Sequence, residues 1–269
     1  MTTTTIDSMP RAGALRRPRF YLWTAAAMTA VAFIGFAPTF WIPLAQGAPE
    51  RIAIIAAHAI VFYGWMFLAV YQAWLAAAGN LARHKSIGMI GVSLATSMVI
   101  FGMLAGINSG VRATAAGYAN AGEAAMILPM AAILIFAVLV TAAIANVNRP
   151  EWHKRLMLAA TAITLDAAIA RLYIAYVMMG GHMPPLQENV GLAGLQGPPP
   201  PVGALTPPSL IADLFIVAGM IYDWRTRGKP HPAYWWAAGF AISIQILKAP
   251  FSDTALWHAM AKWMISLAG

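Results

Sequence analysis

Seven stretches of the chain, at roughly 20–43, 51–79, 86–107, 124–147, 154–179, 208–224 and 232–250, are long and apolar enough to cross the hydrocarbon of a bilayer as helices. That pattern fixes the fold class: an all-α integral membrane protein, built as a bundle of seven transmembrane helices. The composition agrees, with 60% apolar and only 10% charged residues and a mean hydropathy of +0.67. One soluble core of this size has no room for so much apolar surface. A soluble enzyme, a disordered regulator and a nucleic-acid binder are therefore excluded. The net charge of +8 belongs to the basic flanks of membrane spans rather than to a nucleic-acid partner. With no cysteine, disulfides and thiolate chemistry drop out.

The first span is too long for a cleaved signal peptide, and nothing after it resembles a small-residue cleavage site. The sixth is the shortest, and Asp213 interrupts it. Around the spans lie a polar arm (1–19), a Gly- and Pro-rich outer loop (180–207) and an amphipathic tail (251–269). The tail is expected to lie in the interface, with Trp257 and Trp263 at headgroup level. Positive charge sets the direction. Arg11, Arg16, Arg17, Arg19, Arg83, Lys85, Arg149, Lys154, Arg155, Arg225, Arg227 and Lys229 fall on one side, against Arg51, Arg112, Lys248 and Lys262 on the other. This places the N-terminus inside and the C-terminus outside a bacterial inner membrane, crossed several times. A weak repeat relates 51–107 to 124–179, because Arg83-His84-Lys85 and Trp152-His153-Lys154-Arg155 open corresponding helices.

Ionisable groups inside hydrocarbon cost about 2.5–3.5 kcal/mol each on insertion scales and normally face the bundle interior. His58, Asp166, Arg171 and Asp213 are the candidates. His58, Arg171 and Asp213 fall at similar depth, roughly 8–12 Å below the outer surface. There Arg171 is placed to pair with Asp213, and His58 to bond either. Asp166 lies near the midplane, about 140° round the fifth helix from Arg171, and needs a partner on another helix. The bland reading is a structural ion pair that locks the bundle. On the second helix His58, Trp65 and Gln72 share one face; on the fifth His153, Met157, Thr164 and Arg171 do. Gly102-x-x-x-Gly106 on the third allows close helix approach. His84 and His153 stand beside Lys85 and Lys154 at helix N-termini, where a lipid phosphate is a natural partner. His231, between two prolines, reads as structural. The outer Met178-Met179-Gly180-Gly181-His182-Met183 run has donors suited to copper, though methionine is common throughout.

The elements His58, Gln72, His84, Gly88, Gly91, His153, Met157 and Arg171 carry a resemblance. The run from 51 to about 175 resembles uncharacterised bacterial multi-pass membrane proteins grouped as a predicted-membrane domain of unknown function. The resemblance implies a membrane bundle with a shared polar pattern; the family has no activity to carry over, and Asp166 and Asp213 lie outside its pattern.

Three functions compete. The first is a redox protein binding haem b or a quinone through His58, Gln72, His84, His153, Arg171 and Asp213, with Arg171 on a propionate or a quinone carbonyl. His58 has no transmembrane histidine partner, so it needs His182 from the loop or a methionine such as Met130, and His84 and His153 sit at matched inner ends. The corresponding metal reading joins His58 to His182 and Met183, with copper behind haem. The second is a non-catalytic subunit or assembly factor, with the bilayer and a membrane-protein partner or second copy as partners. The third is a small-molecule or proton-coupled transporter using the His58/Arg171/Asp213 level. A retinal protein is set aside because Lys248 lies near its helix end beside Pro250 and the third helix offers no carboxylate. Zinc hydrolysis is set aside because no His-x-x-x-His pair or carboxylate cluster appears.

Overall fold

The computed structural model describes residues 19–47, 53–181 and 198–268. Among them all regular structure is helical, and six helices are long and apolar enough to cross a membrane. These are α1 (Phe20–Ala45), α2 (Ala53–Ala77), α3 (Leu81–Ala115), α4 (Ala119–Ala145), α5 (Pro150–Met178) and α6 (Val202–Arg227). The chain is a multi-pass membrane protein. A seventh helix, α7 (Pro232–Ser252), has the length of a span, but Gln245 and Lys248 make it less apolar than the others. The expected span that falls short is thus the seventh and not the sixth, which extends to 26 residues by recruiting Val202–Thr206 upstream of Pro207. A short helix, α8 (Ala255–Ser266), follows.

Short turns make consecutive helices antiparallel neighbours. α2 packs along α3, and α4 along α5, while α1 closes the ring by lying between α2 and α5. The α1/α5 contact needs Gly35, where any β-carbon would run into the Ala168 backbone. The α3/α4 contact uses the expected small-residue stripe: a side chain at Gly106 would meet Met130 and Pro129, at 2.9 and 3.0 Å. α5 is the most enclosed span and α2 the least, with 61% and 11% of their apolar windows covered by protein. α2 and α3 therefore leave most of their apolar surface for lipid, whereas α5 and then α4 are the spans most enclosed by neighbouring helices among the described residues.

One end of the bundle gathers Arg83, Arg149, Arg155, Arg225 and Arg227, and is the basic end. There Arg155 is buried rather than a solvated flank residue. Its Nε donates to Asp223 Oδ2 at 2.7 Å and Nη2 to Oδ1, while Nη1 donates to Glu151. Asp223 Oδ2 also accepts from the His231 backbone N–H at 3.0 Å, tying the α6–α7 turn to α5. His231 is structural, as expected: its Nδ1 accepts from Ala233 N–H and caps α7. Burial and the nearby Arg155 push the His231 ring below the usual imidazole range, keeping that acceptor neutral.

The tail differs from its expected place. Trp257 is buried, donating from its indole N–H to the Glu123 carbonyl at 2.8 Å, and His258 Nδ1 lies 2.7 Å from Glu123 Oε2. Only Trp263 keeps an exposed ring. Residues between 19 and 47 include a wide π turn at Ala37–Trp41, and a second closes α5 at Ile174–Met178. His182 and Met183, with the rest of 182–197 in the outer loop, lie outside the described residues.

Removing one partner of a fully buried charge pair strands the other. Asp223→Ala is expected to lower the unfolding free energy in detergent by about 3–5 kcal/mol. Glu151→Ala removes a half-exposed carboxylate and leaves Arg155 still paired with Asp223, and should cost about 1 kcal/mol or less. Equal effects in denaturant titrations followed by tryptophan fluorescence would contradict this placement.

Candidate functional site

Midway towards the end opposite the basic one, three helices turn polar side chains onto one small cavity. Asp166 comes from α5, Ser209 from α6, and Gln245 and Lys248 from α7, while Asp213 of α6 is buried beside the cavity against Gln245. Lys248 Nζ donates to Ser209 Oγ at 2.8 Å and lies 3.9 Å from Asp166 Oδ2. Gln245 Nε2 donates to Asp213 Oδ1 at 3.4 Å. Asp213 Oδ2 and Gln245 Oε1 are buried with no hydrogen-bond partner. The cavity, about 10 Å³ and lined also by Ala131, Ala132, Ile135, Ile163 and Ala212, has roughly the volume of one water. Two carboxylates face one ammonium, so one negative charge is left over in a low-dielectric site.

The helices are interrupted here. In α5, Thr164 N–H bonds to the Thr161 carbonyl at 3.2 Å and Leu165 N–H to Ala162 at 3.0 Å, a tightened turn. The Thr164 hydroxyl donates to the same Thr161 carbonyl at 2.7 Å, competing with the backbone ladder. Asp166 follows immediately. In α6 the regular helix breaks at Asp213, whose carbonyl accepts from both Ile216 and Val217 N–H, at 2.8 and 3.0 Å. No proline or glycine lies at either break.

The expected grouping of His58, Arg171 and Asp213 does not form. The side-chain hydrogen-bond partner of Asp213 is Gln245 of α7. Arg171 Nε donates to Thr39 Oγ1 in the π turn of α1 at 3.1 Å, Nη1 donates to the Ala167 carbonyl, and the guanidinium lies over the Phe36 ring at 4.2 Å. The fifth-helix face bearing Arg171 points at α1 and the Asp166 face at α7, so Arg171 and Asp213 look in different directions. Asp166 does find its partner on another helix, and that partner is Lys248. His58 stacks on Phe62 at 4.1 Å, with Nδ1 buried and unpartnered.

The remaining sequence candidates meet at the basic end. Gln72 Nε2 donates to the His84 carbonyl at 3.1 Å, and His84 Nδ1 lies 3.3 Å from the Gln72 carbonyl, so α2 and α3 are cross-bonded. Gly88 gives the Gln72 amide room, and Gly91 seats Leu68. His153 Nδ1 lies 2.9 Å from the Ala143 carbonyl, and the His84 and His153 rings stand 6.2 Å apart at 90°. Gln72 Oε1 is buried without a partner. Met157 only packs against the core.

Sequence reasoning missed Ser209, Gln245 and Lys248 as site residues. Helical phase was the available signal: Gln245 and Lys248 are three apart on one face of α7, and Ser209 and Asp213 four apart on one face of α6. Among the described residues no group of three or more His, Asp or Glu is arranged to hold a metal ion. No family model, curated protein or solved structure matches the chain.

Lys248→Met should destabilise the folded protein by about 3–5 kcal/mol, because the carboxylates lose their buried cation. Adding Asp166→Asn and Asp213→Asn should restore most of that loss. Thermal unfolding of the two variants in detergent checks this, and no recovery in the triple variant would refute the charge coupling.

Proposed function

We propose that the protein is a proton-exchanging membrane carrier whose exchange site is Asp166, Asp213 and Lys248. The observation that supports it most is that Asp166 and Lys248 meet on a water-sized cavity, with Asp213 joined to it through Gln245, between two helix interruptions. Buried charge in a membrane helix costs enough that it usually marks an ion or proton path. Interrupted helices at the same level are how carriers expose polar backbone to a bound ion. Lys248 balances one carboxylate, and a proton neutralises the other by bonding to it directly, without the further oxygen ligands that a metal cation requires. Asp213 Oδ2 and Gln245 Oε1 supply acceptors with nothing else to bind. Asp166 and Asp213 then exchange the proton, while Ser209 and Gln245 hold Lys248 and Asp213 in position.

In this reading α7 is the seventh span, the basic end faces the cytoplasm of a bacterial cell and the C-terminus lies outside, as the distribution of lysine and arginine favours. The non-catalytic alternative draws on the uncovered faces of α2 and α3, but lipid satisfies apolar faces equally well.

Proteoliposomes loaded with a pH-sensitive dye and given a valinomycin-set potassium potential test the proposal. Wild-type protein is expected to speed the internal pH change severalfold over empty liposomes. Asp213→Asn and Asp166→Asn should each return it to the empty-liposome rate while remaining monodisperse in detergent. Wild-type vesicles indistinguishable from empty ones, or unchanged rates in both variants, would overturn it.

A further inference from the structure

On the flank of the bundle that lipid touches, α1 and α2 enclose a groove of about 420 Å³ towards the basic end. α1 supplies Leu22, Ala26 and Thr29, and α2 supplies Phe67, Val70 and Trp74, with Tyr71 beside them. Spacings of three and four residues put each set on one helix face. From Leu22 to Thr29 the groove follows α1 for about 10 Å, two-thirds of the roughly 15 Å of hydrocarbon in one leaflet. Phe67 and Trp74 are 57% and 49% exposed, so the groove opens to the bilayer and is not sealed within the protein.

Its wall is apolar and its mouth is basic. The hydroxyl on the α1 wall, Thr29 Oγ1, already donates to the Ala25 carbonyl at 2.9 Å. A polar ring lying against that wall finds no free donor, whereas a hydrocarbon chain needs none. At the mouth the Arg83 guanidinium lies over the Tyr71 ring, 5.8 Å from its centroid, and Tyr71 stacks on Trp74 at 5.7 Å. Held by the ring face, the guanidinium keeps its N–H donors for another group. Among the described residues no carboxylate pairs with it, while Lys154, Arg155 and Arg227 of the same end are all answered by Glu151 or Asp223. The cap of α3 takes only the Arg83 backbone N–H, which donates to Asn80 Oδ1 at 3.2 Å.

A fork of unpaired donors beside an apolar groove matches a phosphate joined to hydrocarbon. No Asp or Glu lines the groove to receive the ammonium of a zwitterionic headgroup. Basic residues beside clefts between membrane helices are where acidic lipids collect. We propose that the groove seats one anionic phospholipid, with an acyl chain between Leu22 and Trp74 and its phosphate on Arg83. The site shares no residue with Asp166, Asp213 and Lys248, so it stands independently of the carrier reading.

The test is native mass spectrometry of the purified, delipidated full-length protein in detergent, titrated with phosphatidylglycerol or phosphatidylcholine of the same acyl chains. The wild type is expected to hold one phosphatidylglycerol per chain, about fivefold more tightly than phosphatidylcholine. Arg83→Gln leaves the Asn80 cap intact; it should weaken phosphatidylglycerol about fivefold and leave phosphatidylcholine unchanged. Arg225→Gln, which removes an exposed cation of the same end on α6, should match wild type. Ala26→Leu, which fills the groove with a larger side chain, should weaken both lipids severalfold. Glycerophosphoglycerol, the headgroup without its chains, should not compete. Equal retention of the two lipids by the wild type, or equal effects of the two arginine substitutions, would overturn the proposal. So would competition by the chain-free headgroup, unchanged binding in Ala26→Leu, or protein dimers in place of bound lipid.

Discussion

Hydrocarbon offers no partner to a polar group, so each charge in this bundle must be answered by another residue, and the helix that collects the charges must be the one most surrounded by protein. That helix is α5. Along its length Arg155 binds Asp223 of α6, His153 stands against His84 of α3, Thr161 accepts from the Trp65 indole of α2, Asp166 faces Lys248 of α7, and Arg171 binds Thr39 of α1. Each of these links reaches a different neighbour. The order of helices around α5 is therefore written in polar contacts, while the apolar core supplies non-directional cohesion. Lipid needs no such instruction, and α2 and α3 accordingly present long apolar faces outward.

The two ends of α5 are held in different ways. At the basic end Arg155 and Asp223 are almost wholly buried and doubly bonded, with every donor and acceptor placed. A pair of that kind resists any displacement, because separating the charges in low dielectric costs several kcal/mol. Around Lys248 the accounts do not close. The ammonium sits 3.9 Å from Asp166, and two acceptors nearby have nothing to bind. A fully satisfied network rigidifies a structure, whereas one that is short of donors is poised to take up a proton or a water. The same side-chain types thus serve as a clamp at one end and as an exchangeable site towards the other, and the difference lies in how completely they are satisfied.

Much of this was legible in the sequence. Runs of apolar residues located each long helix, since length and hydropathy depend only on local composition, although the third runs eight residues past its expected end and the sixth begins six residues before its expected start. The glycine stripe at Gly102 and Gly106 was readable because close approach requires small residues whatever the partner. Asp166 was expected to need a partner on another helix, and Lys248 of α7 lies 3.9 Å from it. What one-dimensional reasoning lacks is azimuth between helices. Arg171 and Asp213 were expected at one depth, but Arg171 faces α1 while Asp213 faces α7, and no feature of either helix alone says which neighbour its polar face meets. Lys248 was discounted for its nearness to Pro250. Yet α7 continues through Pro250 to Ser252, and α8 folds back with Trp257 buried, so the lysine lies inside the protein. The breaks at Thr164–Leu165 and Asp213 left no proline or glycine to find. They arise from a threonine hydroxyl competing for a carbonyl and from a network that forms only when three helices assemble.

The break in α5 also separates the two polar sites mechanically. Asp166 lies 13 residues beyond His153, about 20 Å along the axis. The tightened turn at Thr164–Leu165 falls just before Asp166. The half of α5 carrying His153 and Arg155 is fastened to α6 through Asp223, and the half carrying Asp166 and Arg171 leans on α1 through Gly35 and Thr39. A helix rotates most cheaply where its hydrogen-bond ladder is already disturbed. A small movement of Asp166 relative to Lys248 is therefore absorbed at that turn before it strains the Arg155–Asp223 pair. The architecture lets Asp166 shift against Lys248 while the basic end, held by Arg155 and Asp223, stays still.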